Sequence, residues 1–243
     1  MRRLGRLRAG IGVLAGLTRV PLWLGAAPRS PYARGRERSF FRRVLAGFGI
    51  HPRFRGADPA GPGTLYVANH VSWADIPLLG ALLDADFVSK DDVGGWPLLG
   101  RLARRRGTLF IDRDRKRETG GQADAMADRL AEGHSLVLFA EGTTGDGVTL
   151  LPFRSSLFAA ARAARMIQPV LIRYRAADGA PLDAAAMRAF AWSDHPLGQN
   201  VAHIARTGAV AEVVLLDAFA PGEDRKAIAA RCRDAIAAAW NAD

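Results

Sequence analysis

From residue 57 onward, short apolar runs alternate with longer stretches of helical periodicity. Six runs read as strands: Thr64–Ala68, Asp86–Ser89, Thr108–Ile111, Ser135–Ala140, Ile167–Tyr174 and Val210–Leu216. Each is short, rich in β-branched or aromatic residues, and bounded by Gly, Asp or Asn. Between them Ala74–Leu83, Trp96–Arg105, Glu118–Glu132, Phe153–Arg165, Leu197–Arg206 and Glu223–Trp240 read as helices. Strands alternating with helices predict an α/β fold, a single domain with a mostly parallel central sheet flanked by helices.

The first 56 residues break this alternation. Residues 9–18 and 20–28 are two uncharged stretches separated by Arg19, and Phe40, Phe41, Val44, Leu45 and Phe48 lie beside Arg42 and Arg43. Arginine interleaved with Trp, Phe and Leu predicts an amphipathic helical arm that lies on a membrane surface. Spanning the bilayer would place Arg19 near its middle, at a cost of roughly 2.5–3.5 kcal/mol. The charged start and apolar run also fit a secretory leader, but the rest of the chain has no pair of cysteines to suit an oxidising compartment. The expected partition is a basic membrane-associating arm over 1–56 and a catalytic domain over 57–243.

Charge sharpens this picture. The chain has 243 residues and a net charge of +10. Its first 56 residues hold thirteen arginines and one acid, a net +12, so the remainder carries −2. A basic arm seeks a polyanion, and its apolar content selects anionic lipid over nucleic acid. Ordinary hydrophobic and charged fractions, 49% and 24%, exclude a disordered or fibrous chain. The single cysteine, Cys232, excludes an intramolecular disulfide, and no Cys/His spacing suggests a metal site.

Three constellations carry candidate chemistry, each where a predicted strand ends. The first is Asn69-His70-Val71-Ser72-Trp73-Ala74-Asp75. A neutral histidine takes a proton from a hydroxyl, and a carboxylate on its other ring nitrogen fixes the tautomer. On one continuous helix, positions i and i+5 lie about 140° apart. With His70 on the loop and Asp75 in the first helical turn, the two converge. Ser72-x-x-Asp75 equally fits a capping box, in which Asp75 serves only the helix end.

The second constellation is Gly107-Thr108-Leu109-Phe110-Ile111-Asp112-Arg113, inside a segment, 101–117, with eight basic residues. Arginine there is suited to grip a phosphate through two parallel hydrogen bonds; the same residues fit a solvated basic face. The third is Phe139-Ala140-Glu141-Gly142-Thr143-Thr144-Gly145-Asp146-Gly147, with three glycines in six residues. Such a loop turns backbone N–H groups toward a ligand, and a glutamate at its mouth suits a polar, hydroxyl-bearing one. No Gly-x-Ser-x-Gly elbow is present, which counts against a serine hydrolase.

In this order the three resemble the lysophospholipid acyltransferases, the glycerolipid acyltransferase family that includes bacterial 1-acylglycerol-3-phosphate acyltransferase. The resemblance runs from about Thr64 to Val170, where Gln168-Pro169-Val170 is similar to the family's last motif. It implies acyl transfer from acyl-CoA or acyl-carrier protein to a lysolipid hydroxyl, without a cofactor, at the cytoplasmic face of the inner membrane. His70 matches the general base and Asp75 its partner. Arg113 matches the arginine associated with the acceptor's phosphate, Glu141, Gly142 and Thr143 match the acceptor-binding loop, and Lys90 lies where many members carry a basic residue. The implied product is phosphatidate. Ala140 stands where the family commonly has proline and Gly145 where it commonly has serine. The run from Glu141 to Phe158 is similar to a subgroup that includes lyso-ornithine lipid acyltransferases, whose acceptor has no phosphate. A non-catalytic basic protein binding membrane or nucleic acid explains the arm but leaves His70, Asp75 and Glu141 without a role.

Overall fold

Ser30 caps the first described helix: its Oγ accepts from the Ala33 N–H at 3.2 Å, and Pro31 follows in the first turn, where its missing N–H costs little. The computed structural model describes residues 30–90, 108–111, 119–192, 196–222 and 224–242. In chain order the elements are α1 (Pro31–Gly47), β1 (Ile50–Gly56), β2 (Thr64–Ala68), α2 (Asp75–Leu82), β3 (Asp86–Lys90), β4 (Leu109–Ile111), α3 (Thr119–Ala131), β5 (Leu136–Phe139), β6 (Met166–Arg175), α4 (Ala184–Phe190), α5 (Leu197–Thr207), β7 (Ala209–Leu215) and α6 (Arg225–Asn241).

The strands form one sheet in the order β1-β7-β6-β2-β5-β3-β4. Every pairing is parallel except β6 with β7. The central strand β2 is buried at all five positions, so its residues serve two cores in alternation. Tyr66 and Ala68 join Phe40, Leu45, Leu78, Leu79, Tyr174 and Phe190 on one face. Leu65 and Val67 join Leu130, Phe158, Ile228 and Cys232 on the other. This is the single α/β domain with a mostly parallel, helix-flanked sheet that the periodicity predicts.

The boundary expected at Gly56 falls inside the domain. Ala33, Phe40, Val44, Leu45 and Phe48 form a buried stripe on α1, recurring at helical spacing. That stripe packs on α2, and Phe48 meets Trp73 edge-on with ring centroids 4.9 Å apart. Arg34 fastens the helix electrostatically. It bonds Asp86 at 2.9 Å and Asp84 at 3.0 Å, and lies 3.6 Å from Glu37. Burial alone would lower the Arg34 pKa, but these carboxylates outweigh it and hold the guanidinium above its ordinary value. β1 then pairs with β7 along its length. The aromatic residues of 40–48 are therefore largely core residues and not a lipid-facing arm; residues 1–29 lie outside the described residues. Among the described residues no helix is long and apolar enough to cross a membrane.

Two further expectations change. Phe153–Arg165 forms two 3₁₀ turns, Ser155–Phe158 and Ala161–Ala163, in place of one helix. The Arg154 N–H donates to the Ala140 carbonyl at 2.9 Å, tying the segment to the end of β5, and the Arg154 carbonyl accepts from the Leu157 N–H at 2.9 Å in an i to i+3 bond. Helix α4 has no counterpart in the periodicity, though Asp183 caps it by accepting from the Ala186 N–H at 2.8 Å. The expected helix Trp96–Arg105 lies outside the described residues.

Candidate active site

β2 ends at Ala68, in register with Val170 of β6. β6 continues five residues further, to Arg175. That extension is the wall against which the loop Asn69–Ala74 is built. Asn69 imitates a strand residue with its side chain: Nδ2 donates to the Ile172 carbonyl at 2.9 Å, and Oδ1 accepts from the Ile172 N–H at 2.8 Å. Two buried hydrogen bonds thus fix the residue before His70 to the sheet.

His70 and Asp75 converge. Nδ1 of His70 lies 2.7 Å from Oδ2 of Asp75. The same oxygen accepts from the Val71 N–H at 2.7 Å and the Ser72 N–H at 3.0 Å. The other, Oδ1, accepts from the Tyr174 hydroxyl at 2.5 Å. A carboxylate facing these donors is an acceptor throughout, so Nδ1 carries the ring proton and Nε2 is left with its lone pair. The capping box with Ser72 as N-cap does not form: α2 begins at Asp75 with Ala74 at its N-cap and no side-chain cap bond, and Asp75 accepts from the Ser72 N–H within the preceding turn. One buried side chain thus orients the histidine and ties down the turn that leads into α2.

The third constellation holds His70 by its backbone. Glu141 Oε2 accepts from the His70 N–H at 2.8 Å, and the Gly145 N–H donates to the His70 carbonyl at 2.7 Å. Glu141 Oε1 accepts from the Leu151 N–H at 2.9 Å. The His70 ring stacks on Phe139, with centroids 4.0 Å apart and planes 17° apart. Burial pushes the Glu141 carboxyl up to about 7, against the two N–H donors and the His70 ring, which draw it down.

This corrects the expected geometry of Glu141. It is 3% exposed, with both oxygens taken by backbone donors, so it stands behind the site and not at its mouth. Nor does the glycine loop turn these N–H groups outward: Gly142 donates to Phe139 O, Gly145 to His70 O, and Val148 and Thr149 to Asp146 Oδ1. Gly142 is buried, whereas Thr143 is exposed beside the site. Lys90 ends β3, which is separated from β2 by β5. Arg113 lies outside the described residues, as does most of the 101–117 basic segment.

Tyr174 is the site residue that sequence reasoning missed. Its available signal was a tyrosine hydroxyl near the end of a mainly apolar strand, but nothing local names Asp75 as its acceptor. Asn69 was visible in the first motif, yet its bonds to Ile172 depend on a residue 103 positions away. Among the described residues no group of three or more His, Cys, Asp or Glu is placed to hold a metal ion.

A base oriented by a buried carboxylate at a strand end suits proton transfer from a hydroxyl. The chain is 37% identical to a lyso-ornithine lipid O-acyltransferase of Rhizobium meliloti over 198 residues, 78% of this chain and 66% of the relative. It is 40% identical to one of Rhodobacter capsulatus over 210 residues, 80% of this chain and 72% of the relative. It is 36% identical to a 1-acyl-sn-glycerol-3-phosphate acyltransferase of Neisseria meningitidis over 135 residues, 55% of this chain and 53% of the relative. The fold is similar to the crystal structure of the 1-acyl-sn-glycerophosphate acyltransferase PlsC from Thermotoga maritima, with a TM-score of 0.68 at 18% identity, covering 99% of this chain and 98% of that one. The Acyltransferase family model matches residues 51–173, from β1 through the His70 loop to β6, and by that match the chain belongs to the Acyltransferase family.

Proposed function

We propose that the protein moves a fatty acyl group from an acyl thioester, acyl-CoA or acyl-carrier protein, to the free hydroxyl of a lysolipid. The observation that carries this reading is the His70–Asp75 pair at 2.7 Å, which leaves Nε2 to accept a hydroxyl proton. As the lysolipid oxygen attacks the thioester carbonyl, its proton passes to Nε2. The new C–O bond forms, the C–S bond breaks, and the imidazolium returns the proton to the departing thiolate. Asp75 holds the ring and stabilises the imidazolium without taking the proton. The reading includes neither a cofactor nor a nucleic-acid partner. It places the enzyme on an anionic membrane, at the cytoplasmic face of the inner membrane, where its lipid acceptor resides.

The extent of likeness favours lyso-ornithine lipid as the acceptor: those relatives match over 198 and 210 residues, against 135 for the glycerophosphate enzyme. Arg113 favours the second reading, 1-acylglycerol-3-phosphate converted to phosphatidate, through its resemblance to a phosphate-associated arginine. Purified full-length protein, given acyl-carrier protein or CoA thioesters and each lysolipid in turn, tests both. Transfer to lyso-ornithine lipid at the higher kcat/KM is expected. His70→Ala should lower turnover by roughly 10²–10⁴, and Asp75→Asn should do similar damage. His70→Ala acylating lysolipid at the normal rate would overturn the mechanism. Arg113→Ala separates the acceptors. A charge-assisted pair is worth about 1.5–3 kcal/mol, so KM for a phosphate acceptor would rise about 10–150-fold, while lyso-ornithine lipid would be unaffected.

A further inference from the structure

We propose that Tyr174 is a positioning residue that sets the basicity of His70 through Asp75. The proposal rests on the base role given to His70 above and on the chain of contacts Tyr174–Asp75–His70. Its hydroxyl donates to Asp75 Oδ1 at 2.5 Å, and the opposite oxygen of the same carboxylate meets His70 Nδ1 at 2.7 Å. Both ends of the contact are buried: Asp75 is 0% exposed and Tyr174 2%. In such surroundings a hydrogen bond is felt more strongly than in water, and an unpaired carboxylate oxygen is costly.

The ring is fixed on both sides. Tyr174 lies in β6, paired with Ala211 of β7, and its ring packs on Phe190 of α4 with centroids 4.4 Å apart. Strand pairing and the Phe190 contact hold the hydroxyl against Asp75 Oδ1. It is also a donor at every relevant pH, because burial first, and then the Asp75 charge and hydrogen bond, hold the phenol well above its ordinary value. Among the described residues the other ionisable group coupled to the pair is Glu141, which the His70 ring draws down and Asp75 pushes up.

The physical consequence follows from charge. A donor on Oδ1 draws negative charge away from Oδ2. The imidazolium of His70 is then stabilised less than an undivided carboxylate would stabilise it. His70 is kept a weaker base that gives its proton up to the leaving thiolate more readily. Deleting the hydroxyl returns that charge to His70, and strengthening the donor withdraws more of it. Tyr174→Phe and 3-fluorotyrosine incorporated at position 174 should therefore move His70 in opposite directions.

The experiment is a histidine side-chain NMR titration of the full chain, with the His70 resonance assigned by its absence in His70→Ala. In Tyr174→Phe the His70 midpoint should rise by about one pH unit, a tenfold change in proton affinity. In the fluorotyrosine protein, which keeps the shape of the side chain and so guards against misfolding of the Phe variant, it should fall. The acid limb of the kcat/KM–pH profile for acyl transfer should move with the midpoint, while KM for the acyl donor changes less than about twofold. A midpoint unmoved in both proteins overturns the proposal, even if activity or stability declines, because a purely structural tyrosine would give that pattern. The titration needs no substrate. A wild-type protein without acyl transfer would sink the proposed reaction and leave the Tyr174 coupling to be judged on the midpoints alone.

Discussion

Glu141 shows how one side chain ties catalysis to the pH dependence of folding. Its two oxygens accept from the His70 and Leu151 N–H groups, so it fixes the His70 loop to the segment after β5. The carboxyl is raised from its ordinary 4.5 to about 7 in the folded chain. A raised acid takes up a proton more readily when folded than unfolded. Its stabilising contribution is complete below about 4.5 and is lost as pH rises through about 7. A shift of that size corresponds to on the order of 3 kcal/mol between those limits. Glu141→Gln is neutral throughout and lacks that slope. Urea unfolding between pH 5 and 8 should show wild type losing stability with rising pH, a slope that the variant lacks. Curves that stay parallel would show that Glu141 is solvated like an ordinary carboxylate. The variant also offers one carbonyl oxygen for two N–H donors, so the hold on His70 or Leu151 loosens, and kcat should fall while the fold survives.

At the level of elements, what was legible in the sequence was whatever local pattern determines. β2 is found where its apolar run placed it, and β3, β5, β6 and β7 lie within a residue or two of their expected limits. His70 and Asp75 were legible because they lie five residues apart across one loop and helix start, although Asn69, Glu141 and Gly145 hold that loop through distant partners. The remainder depends on long-range contacts. The α1 stripe reads as amphipathic whether lipid or α2 covers it, and contacts distant in sequence, Phe48 with Trp73 and Arg34 with Asp86, settle that it packs inward. β1 was hidden by Pro52 and three basic side chains, acceptable on an edge strand with six exposed residues. Gly56, taken as the domain boundary, tests this placement. It has φ +87°, and an added Cβ would lie 2.1 Å from the Leu215 carbonyl oxygen, inside the β1–β7 pairing. Gly179 has φ +90° with nothing within 4 Å of its Cβ. Gly179→Ala should cost the strain alone, about 1 kcal/mol, whereas Gly56→Ala must also displace backbone and should cost at least about 2–3 kcal/mol. Equal losses in chemical denaturation would mean that β1 is not fastened to β7.

For the whole molecule, the proposed membrane arm shortens to residues 1–29 once residues 31–56 are assigned to the domain. Residues 1–29 carry six arginines and no acid, together with Val20, Leu22, Trp23 and Leu24. Each arginine near an anionic surface contributes about 1 kcal/mol within a Debye length, so six should give binding at low salt. Apolar burial at about 25 cal/mol per Å² should retain part of that binding when salt is raised. The place to cut follows from the fold. A chain beginning at Phe54 would lack α1, half of β1 and the Arg34 contacts to Asp84 and Asp86, and would expose the core that Phe40, Leu45 and Phe48 cover. A chain beginning at Ser30 keeps the α1 cap and every one of those contacts. It should therefore unfold at nearly the full-length temperature, checked by circular dichroism, yet lose co-sedimentation with anionic vesicles. The full chain should bind anionic and not neutral vesicles, weaken with salt without losing all affinity, and release substantially in alkaline carbonate, which a spanning segment would resist. A nucleic-acid arm would instead ignore lipid and lose nearly all affinity along a steep salt slope. Equal vesicle binding by the two chains would remove the arm as the anchor and transfer the membrane contact to the basic residues of 101–117.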